Sequence, residues 1–284
     1  KGCQIPYGVE ILYYGEIPKG LGIGSSASLG VVTGLILKEL MELKDINMVD
    51  IALFTQLAEN EYIGAGSGIM DPFTIAMGKK NHAIFLDTSD LSYIYAPLLL
   101  PHEKIIITNS QKSRLAVDER YQERRAQCEQ ALKELQRVVA IRDLGELTAE
   151  VFEQVQEMIE SPIRLQRARH AVTENQRTIQ AVEALERGDI EEFGQLMNAS
   201  HLSLKEDYEV SCEELDILVE ESWDIEGVLG SRMMGAGFGG CMISIVKNSA
   251  VNEFINHVGE HYKERTGLVA EFYVVETGNG AAKI

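Results

Sequence analysis

The sequence predicts an α+β fold in which helices are grouped apart from strands. Apolar residues recur at helical spacing through most of residues 118–223. Strand-like runs stand on both sides of that helical block. Glycine clusters mark the junctions, one between a strand and a helix and one between two strands. With 284 residues, 45% of them hydrophobic, the chain can bury the core of one large domain or of two modest ones.

Taken in order, residues 8–17 (GVEILYYGEI) alternate as a strand does, and Pro18 ends the run. A loop of small residues, 19–28, follows. Val31, Val32, Leu35, Ile36 and Leu40 predict a helix from about Ser26 to Leu43. A second helix spans about Met48 to Tyr62. A glycine loop at 64–68 leads to Asp71. Residues 83–87 and 104–108 read as strands.

Two prolines, Pro97 and Pro101, bracket a short apolar run and mark a boundary, dividing the chain into 1–98 and 99–284. Beyond it, Tyr121, Cys128, Leu132, Leu135 and Val139 line a helix from about Asp118. Further helices are expected over 146–160, 163–187 and 189–205. Ser211-Cys-Glu-Glu214 fits a capping box ahead of Leu215, Leu218 and Trp223. Strands at 227–233 and 241–246 flank the second glycine cluster. A helix from about Ser249 and a strand at 270–275 complete the chain.

Charge narrows the function classes. Lys plus Arg is 26 and Asp plus Glu is 44, a formal net charge of -18. Phosphate backbones and anionic lipid surfaces repel such a chain, so neither nucleic acid nor membrane is an expected partner. Asn198-Ala-Ser200 matches a glycosylation acceptor by chance. Cys3, Cys128, Cys212 and Cys241 lack metal-ligand spacing and read as reduced thiols of a cytoplasmic protein. The start, Lys1-Gly-Cys, is neither a signal peptide nor an initiator methionine.

The loop at 18–28 carries the first chemistry. It runs Pro18-Lys-Gly-Leu-Gly-Ile-Gly-Ser-Ser-Ala27 between a strand and a helix. A helix N-terminus offers unpaired N–H groups and a partial positive charge, so it attracts anions. On glycine content alone, a turn with serine capping is the plainer reading. No Gly-Lys-Ser/Thr closes the loop, so it is not a Walker loop. It resembles the phosphate loop of the GHMP small-molecule kinases: a proline, a spacer, then Gly-Leu/Ile-Gly-Ser-Ser-Ala. The resemblance implies that Gly20, Gly22, Gly24, Ser25, Ser26, Ala27 and Ser28 hold the phosphates of ATP.

A pair of acids follows. Glu59 lies near the end of the second helix, and Asp71 comes after a glycine-containing turn. Phosphoryl transfer needs Mg²⁺ to offset charge and a carboxylate near the accepting hydroxyl. Ile69, Met70 and Phe73 suggest burial around Asp71, and a buried carboxylate needs a partner or a task. Here the sequence resembles the galactokinases, which carry a Cys/Ser-Gly-Ile-Met-Asp-Gln motif preceded by Ala-Glu. This chain has Ala58-Glu59-Asn60-Glu61-Tyr62 and Ser67-Gly68-Ile69-Met70-Asp71. The resemblance implies that Asp71 is the catalytic aspartate facing the sugar's anomeric hydroxyl. Gly68 then contacts the sugar through its backbone, and Glu59 binds Mg²⁺ with Ser26. Pro72 stands where the family usually has glutamine.

Tyr121-Gln-Glu-Arg-Arg-Ala-Gln-Cys-Glu129 resembles a further galactokinase stretch, by which Tyr121 offers its hydroxyl to the sugar. Helical spacing alone reads Tyr121 as core. Just upstream, Lys112-Ser113-Arg114 has serine where the family has a basic residue. Residues 207–212 and 230–241 also match. In the latter, Gly235, Gly237, Gly239 and Gly240 are implied to form a turn that supports the phosphate loop. A strand rather than a helix follows this cluster, so it is not a dinucleotide fingerprint.

The resemblance runs from about Ile5 to Ile284. It implies a two-lobed GHMP kinase fold: a truncated remnant of a ribosomal-protein-like nucleotide-binding lobe, then a ferredoxin-like C-terminal lobe. The implied activity is galactokinase, in a protein acting as a monomer on a small-molecule sugar. A kinase for galacturonate, arabinose or N-acetylgalactosamine, and a non-catalytic sugar- and ATP-binding regulator, are the alternatives. No Gly-Glu-His-x-Asp-Tyr tract is present, so the chain is expected to be inactive alone. His257-Val-Gly-Glu-His261 fits an inverted zinc-protease pattern. With no third ligand evident, both histidines read as surface residues.

Overall fold

The structure is a computed structural model that describes residues 7–18, 20–64, 66–113 and 117–284, apart from the side chain of Asp118. The chain divides into two compact units: Lys1–Lys80 with Gly278–Ile284, and Asn81–Thr277.

The first unit holds α1 (Ser25–Leu40), α2 (Met48–Leu57) and α3 (Met70–Met77). A π-helical turn, Ala58–Ile63, extends α2. Asn47 opens α2 with a reciprocal capping box: its side chain accepts from Asp50 N, and the Asp50 carboxylate accepts from Asn47 N. Helices α1 and α2 meet where side chains are absent. A Cβ on Gly30 would lie 2.4 Å from Thr55 Cγ2, and one on Gly34 would lie 2.8 Å from Ile51 Cγ2. Ala27, Val31, Ile51, Ala52, Phe73 and Ala76 form the buried interior. The returning C-terminus seats on α3 through Gly280 N to Gly78 O and Ala281 N to Ile75 O.

Two expectations fail in this unit. Residues 8–17 form no strand. The alternation is present, but a strand also needs a neighbour to take its N–H and C=O groups, and no described strand pairs with it. Leu12 and Tyr14 are accordingly 97% and 88% exposed. Conversely, α3 was not expected. Pro72 sits in its first turn, where a missing N–H costs the helix nothing.

The second unit begins with an antiparallel pair, β1 (His82–Leu86) and β2 (Tyr93–Pro97). It continues with β3 (Glu103–Asn109), α4 (Val117–Leu135), α5 (Ala149–Val155), α6 (Pro162–Glu186), α7 (Ile190–Glu206) and α8 (Glu213–Trp223). Then come β4 (Val228–Met233), β5 (Cys241–Lys247), α9 (Val251–Thr266) and β6 (Glu271–Val275). The four-stranded antiparallel sheet has the order β4-β5-β3-β6. Counting only its own strands, that is 2-3-1-4, the order of a ferredoxin-like βαββαβ unit with four extra helices between its first strand and α8. The expected ferredoxin-like lobe is therefore present.

Ile106, Leu218, Met242, Val246, Phe254 and Val258 pack the sheet against α8 and α9. A second core joins α4, α5 and α6. Helix α7 lies on β4 through bare backbone: a Cβ on Gly194 would lie 2.2 Å from Leu229 O, and one on Gly230 would lie 2.1 Å from Gly194 O.

The expected boundary at residue 98 and the break between units at Lys80 differ by the β1–β2 pair, which packs with the second unit. The capping box expected at Ser211 does not form. Cys212 is the N-cap of α8 without a side-chain bond, and Ser211 Oγ donates instead to Asp216 Oδ1 at 2.5 Å. Among the described residues no helix is long and apolar enough to cross a membrane.

Candidate active site

In the first unit the phosphate-loop residues wind into the start of α1. Gly20, Gly22 and Gly24 all have positive φ, and Gly24 (φ 79°) is the N-cap of α1. Ser25 and Ser26 are the first two helical residues, and Ala27 is buried. Ser28 N donates to Gly24 O at 2.9 Å, and Ser28 Oγ donates to Ser25 O at 3.2 Å. Side-chain acceptors cap α2, α5, α6 and α7 at Asn47, Thr148, Ser161 and Asp189. Helix α1 has no side-chain cap and no acid in its first turn. Its opening amides and dipole could therefore receive an anion.

Asp71 lies against this helix start. It occupies the first turn of α3 and is half-buried. The Cβ position of Gly24 is 3.6 Å from both Cβ and Cγ of Asp71 and 3.3 Å from Ile75 Cδ1. The φ of 79° is what calls for glycine there, while a Cβ would meet Asp71 in ordinary contact and Ile75 Cδ1 tightly. A phosphate at the amides of α1 and a hydroxyl at the Asp71 carboxylate would therefore share one site.

Glu59 is buried at 8% exposure in the π-helical turn. Ser67 Oγ donates to its Oε2 at 2.7 Å. The Ser67 carbonyl in turn accepts from Asn60 Nδ2 at 3.0 Å and Gln56 Nε2 at 3.3 Å. This network pins the loop before Asp71, and Gly68 stands exposed beside it. Asn60 and Ser67 stand in the matched motifs without an assigned role, and Gln56 was not picked out, because nothing in the spacing says which polar groups meet across the loop.

The pairs Gly34/Ile51 and Gly30/Thr55 step four residues in opposite directions along α1 and α2. Ser26 lies in the first turn of α1, and Glu59 lies in the π-helical turn that continues α2, the helix against which α1 packs. A hydroxyl and a carboxylate offered from adjacent helices are the hard oxygen donors that Mg²⁺ takes, so the residues present fit that ion.

The remaining candidates lie in the second unit. Tyr121 is half-buried on α4, and its field bears on Tyr208. Burial pushes the Tyr208 phenol above its ordinary range. Arg124 donates to Tyr208 O and Glu209 O at 2.9 and 3.2 Å. Arg167, 1% exposed, donates to Asp207 O at 2.5 Å and pairs with the Glu209 carboxylate. The two arginines thus fix the loop at 207–209.

Gly235, Gly237, Gly239 and Gly240 connect β4 to β5, all at positive φ. Phe238 N donates to Val210 O at 2.7 Å, and Ser110 N donates to Gly240 O at 2.9 Å. Lys112 packs against Gly239 and pairs with Glu214 at 2.5 Å. Arg114 lies outside the described residues. Burial raises the Cys128 and Cys212 thiols to about 11, so neither is a nucleophile at neutral pH.

The structure therefore gathers Gly20–Ser28, Glu59, Gly68 and Asp71 in one unit, and Tyr121 with the second glycine turn in the other. Two family models match the chain: GHMP kinases N terminal domain over residues 2–79, and GHMP kinases C terminal over residues 181–264. A curated galactokinase from Clostridium acetobutylicum is 52% identical over 283 residues, covering 100% of this chain and 72% of that protein. One from Fusobacterium nucleatum is 50% identical, covering 100% and 73%. The crystal structure of Lactococcus lactis galactokinase complexed with galactose superimposes with a TM-score of 0.91 at 43% identity, covering 95% of this chain and 69% of that one. Mevalonate kinase of L. major, at 19% identity and a TM-score of 0.58, shares the fold.

Proposed function

Because the chain belongs to the galactokinases of the GHMP kinase family, we propose that its first unit carries the phosphoryl-transfer site, with Asp71 acting on the sugar and the start of α1 holding ATP. The observation that supports this reading most is the 3.6 Å between Asp71 Cγ and the Cβ position of Gly24.

The amides of Ser25, Ser26 and Ala27, with the glycines before them, hold the β- and γ-phosphates in the field of the helix dipole. The Asp71 carboxylate takes the proton of the anomeric hydroxyl of galactose as its oxygen bonds to the γ-phosphorus. The bond from that phosphorus to the bridging oxygen breaks, and ADP leaves. No covalent enzyme intermediate is needed, and positioning supplies most of the rate. The Gly68 backbone orients the sugar in the first unit, and the family resemblance gives the Tyr121 hydroxyl a sugar-binding role. Mg²⁺, bound by Glu59 and Ser26, would offset the charge on the transferring group. Gly235, Gly237, Gly239 and Gly240 form the turn between β4 and β5, to which the family resemblance gives a supporting role for the phosphate loop. In this reading the enzyme acts as a cytoplasmic monomer on ATP and a small sugar.

The test measures ADP release by the protein carrying this sequence, with galactose and with its C4 epimer glucose, before and after Asp71→Asn. Galactose-dependent turnover should fall by about 10²–10⁴-fold in the variant. Undiminished turnover would remove Asp71 from the chemistry.

A further inference from the structure

The two histidines read from sequence as surface residues have a third donor beside them. His257 and His261 lie one turn apart on α9, both half-buried, with ring centroids 4.0 Å apart. Glu221 reaches them from α8, which packs against α9. One ligand atom from each of Glu221, His257 and His261 lies within 4.8 Å of the others. We propose that these three residues form a binding site for a divalent transition metal, with zinc as its occupant.

The surroundings orient the donors. His261 Nδ1 donates to His257 O at 2.9 Å, which fixes the tautomer and leaves Nε2 with its lone pair. His257 Nε2 is buried and makes no hydrogen bond, with Glu221 Oε2 3.4 Å away. Arg265 Nη1 holds the other carboxylate oxygen, Oε1, at 2.7 Å and so turns Oε2 toward the histidines. A buried ring nitrogen that faces a carboxylate without a hydrogen bond is an arrangement that a bridging cation would satisfy.

Two imidazoles and one carboxylate suit zinc, which leaves a fourth position for water, and do not suit Mg²⁺ or Ca²⁺. Glu220, Glu260 and Glu264 stand close by and offset the positive charge of Arg265 toward an arriving cation. Glu260, the acid within the His-x-x-Glu-His pattern, is exposed and outside the donor cluster. The arrangement is thus a clasp between α8 and α9 rather than a hydrolase centre. It uses no residue assigned to phosphoryl transfer.

The experiment is calorimetric titration of the 284-residue chain with zinc chloride, repeated on His257→Ala, His261→Ala, Glu221→Gln and Glu260→Gln. Stoichiometric binding is expected, weakened by about tenfold or more in each of the first three and unchanged in Glu260→Gln. Zinc should also raise the unfolding temperature of the parent chain but not of His257→Ala. Visible absorption of bound cobalt(II) that requires both histidines is a second readout, independent of heats. Absence of binding overturns the proposal. So does zinc that persists in all three ligand variants, which would assign it to the cysteines.

Discussion

At the residue scale, one glycine shows how far a single methyl group matters. A Cβ on Gly237 would lie 2.1 Å from Val210 O and 2.8 Å from Met233 Cε, with φ already at +78°. That carbonyl also accepts the bond from Phe238 N. Gly237→Ala should therefore destabilise the chain by about 3 kcal/mol or more in urea unfolding. Gly64 has the same φ of +78° but open space around its Cβ position. Gly64→Ala should cost only the backbone strain, about 1 kcal/mol. The sequence marked Gly237 as part of a turn. It could not name the obstacle, because Val210 belongs to a distant loop held by Arg124 and Arg167. Asp71 was more legible, because its neighbours Ile69, Met70 and Phe73 signalled burial locally. Glu221 was invisible as a partner of His257, since nothing in the spacing of residues joins α8 to α9.

At the element scale, the contact between α1 and α2 carries the most consequence. Gly30→Ala would drive a methyl to 2.4 Å from Thr55 Cγ2. Overpacking of this kind costs about 1–3 kcal/mol. Because the proposed Mg²⁺ ligands Ser26 and Glu59 ride on α1 and on the turn that extends α2, the Mg²⁺ concentration for half-maximal activity should rise as well. Thr55→Ala in the same chain should recover part of both losses, and a double-mutant cycle in stability and in Mg²⁺ dependence checks it. Both helices were readable from apolar spacing. Helix α3 was not, because proline weighs against a helix everywhere except its first turn. Strand β2 was missed because it is five residues long and ends in Pro97. Residues 8–17 misled in the other direction, since alternation reports which faces differ and not whether a partner strand exists.

At the scale of the whole molecule, acid stability rests in part on a buried histidine. His170 is 7% exposed, shares a hydrogen bond with Ser203 Oγ through Nδ1, and stacks on Tyr208. Burial lowers its pKa from 6.5 to about 4. An unfolded chain binds this proton near pH 6.5, and the folded chain refuses it until about pH 4. Stability from this group is therefore full above pH 6.5 and falls as pH drops through that window, by about 3 kcal/mol. Urea unfolding across this range should show a shallower acid decline in His170→Asn than in the parent chain. The order of the four-stranded sheet lay beyond periodicity altogether. Strand spacing along a chain does not say which strands are neighbours, and that expectation came from resemblance.

The bare crossing of α7 over β4 has a consequence for descent as well as for shape. Gly194 and Gly230 each occupy the only room the other leaves, and neither position has a smaller amino acid to retreat to. Ordinary core neighbours can exchange bulk, one shrinking as the other grows, so lineages wander through compensated pairs. This pair has no such path. A larger residue at either position would lift α7 off β4, and no change at the other could make the room.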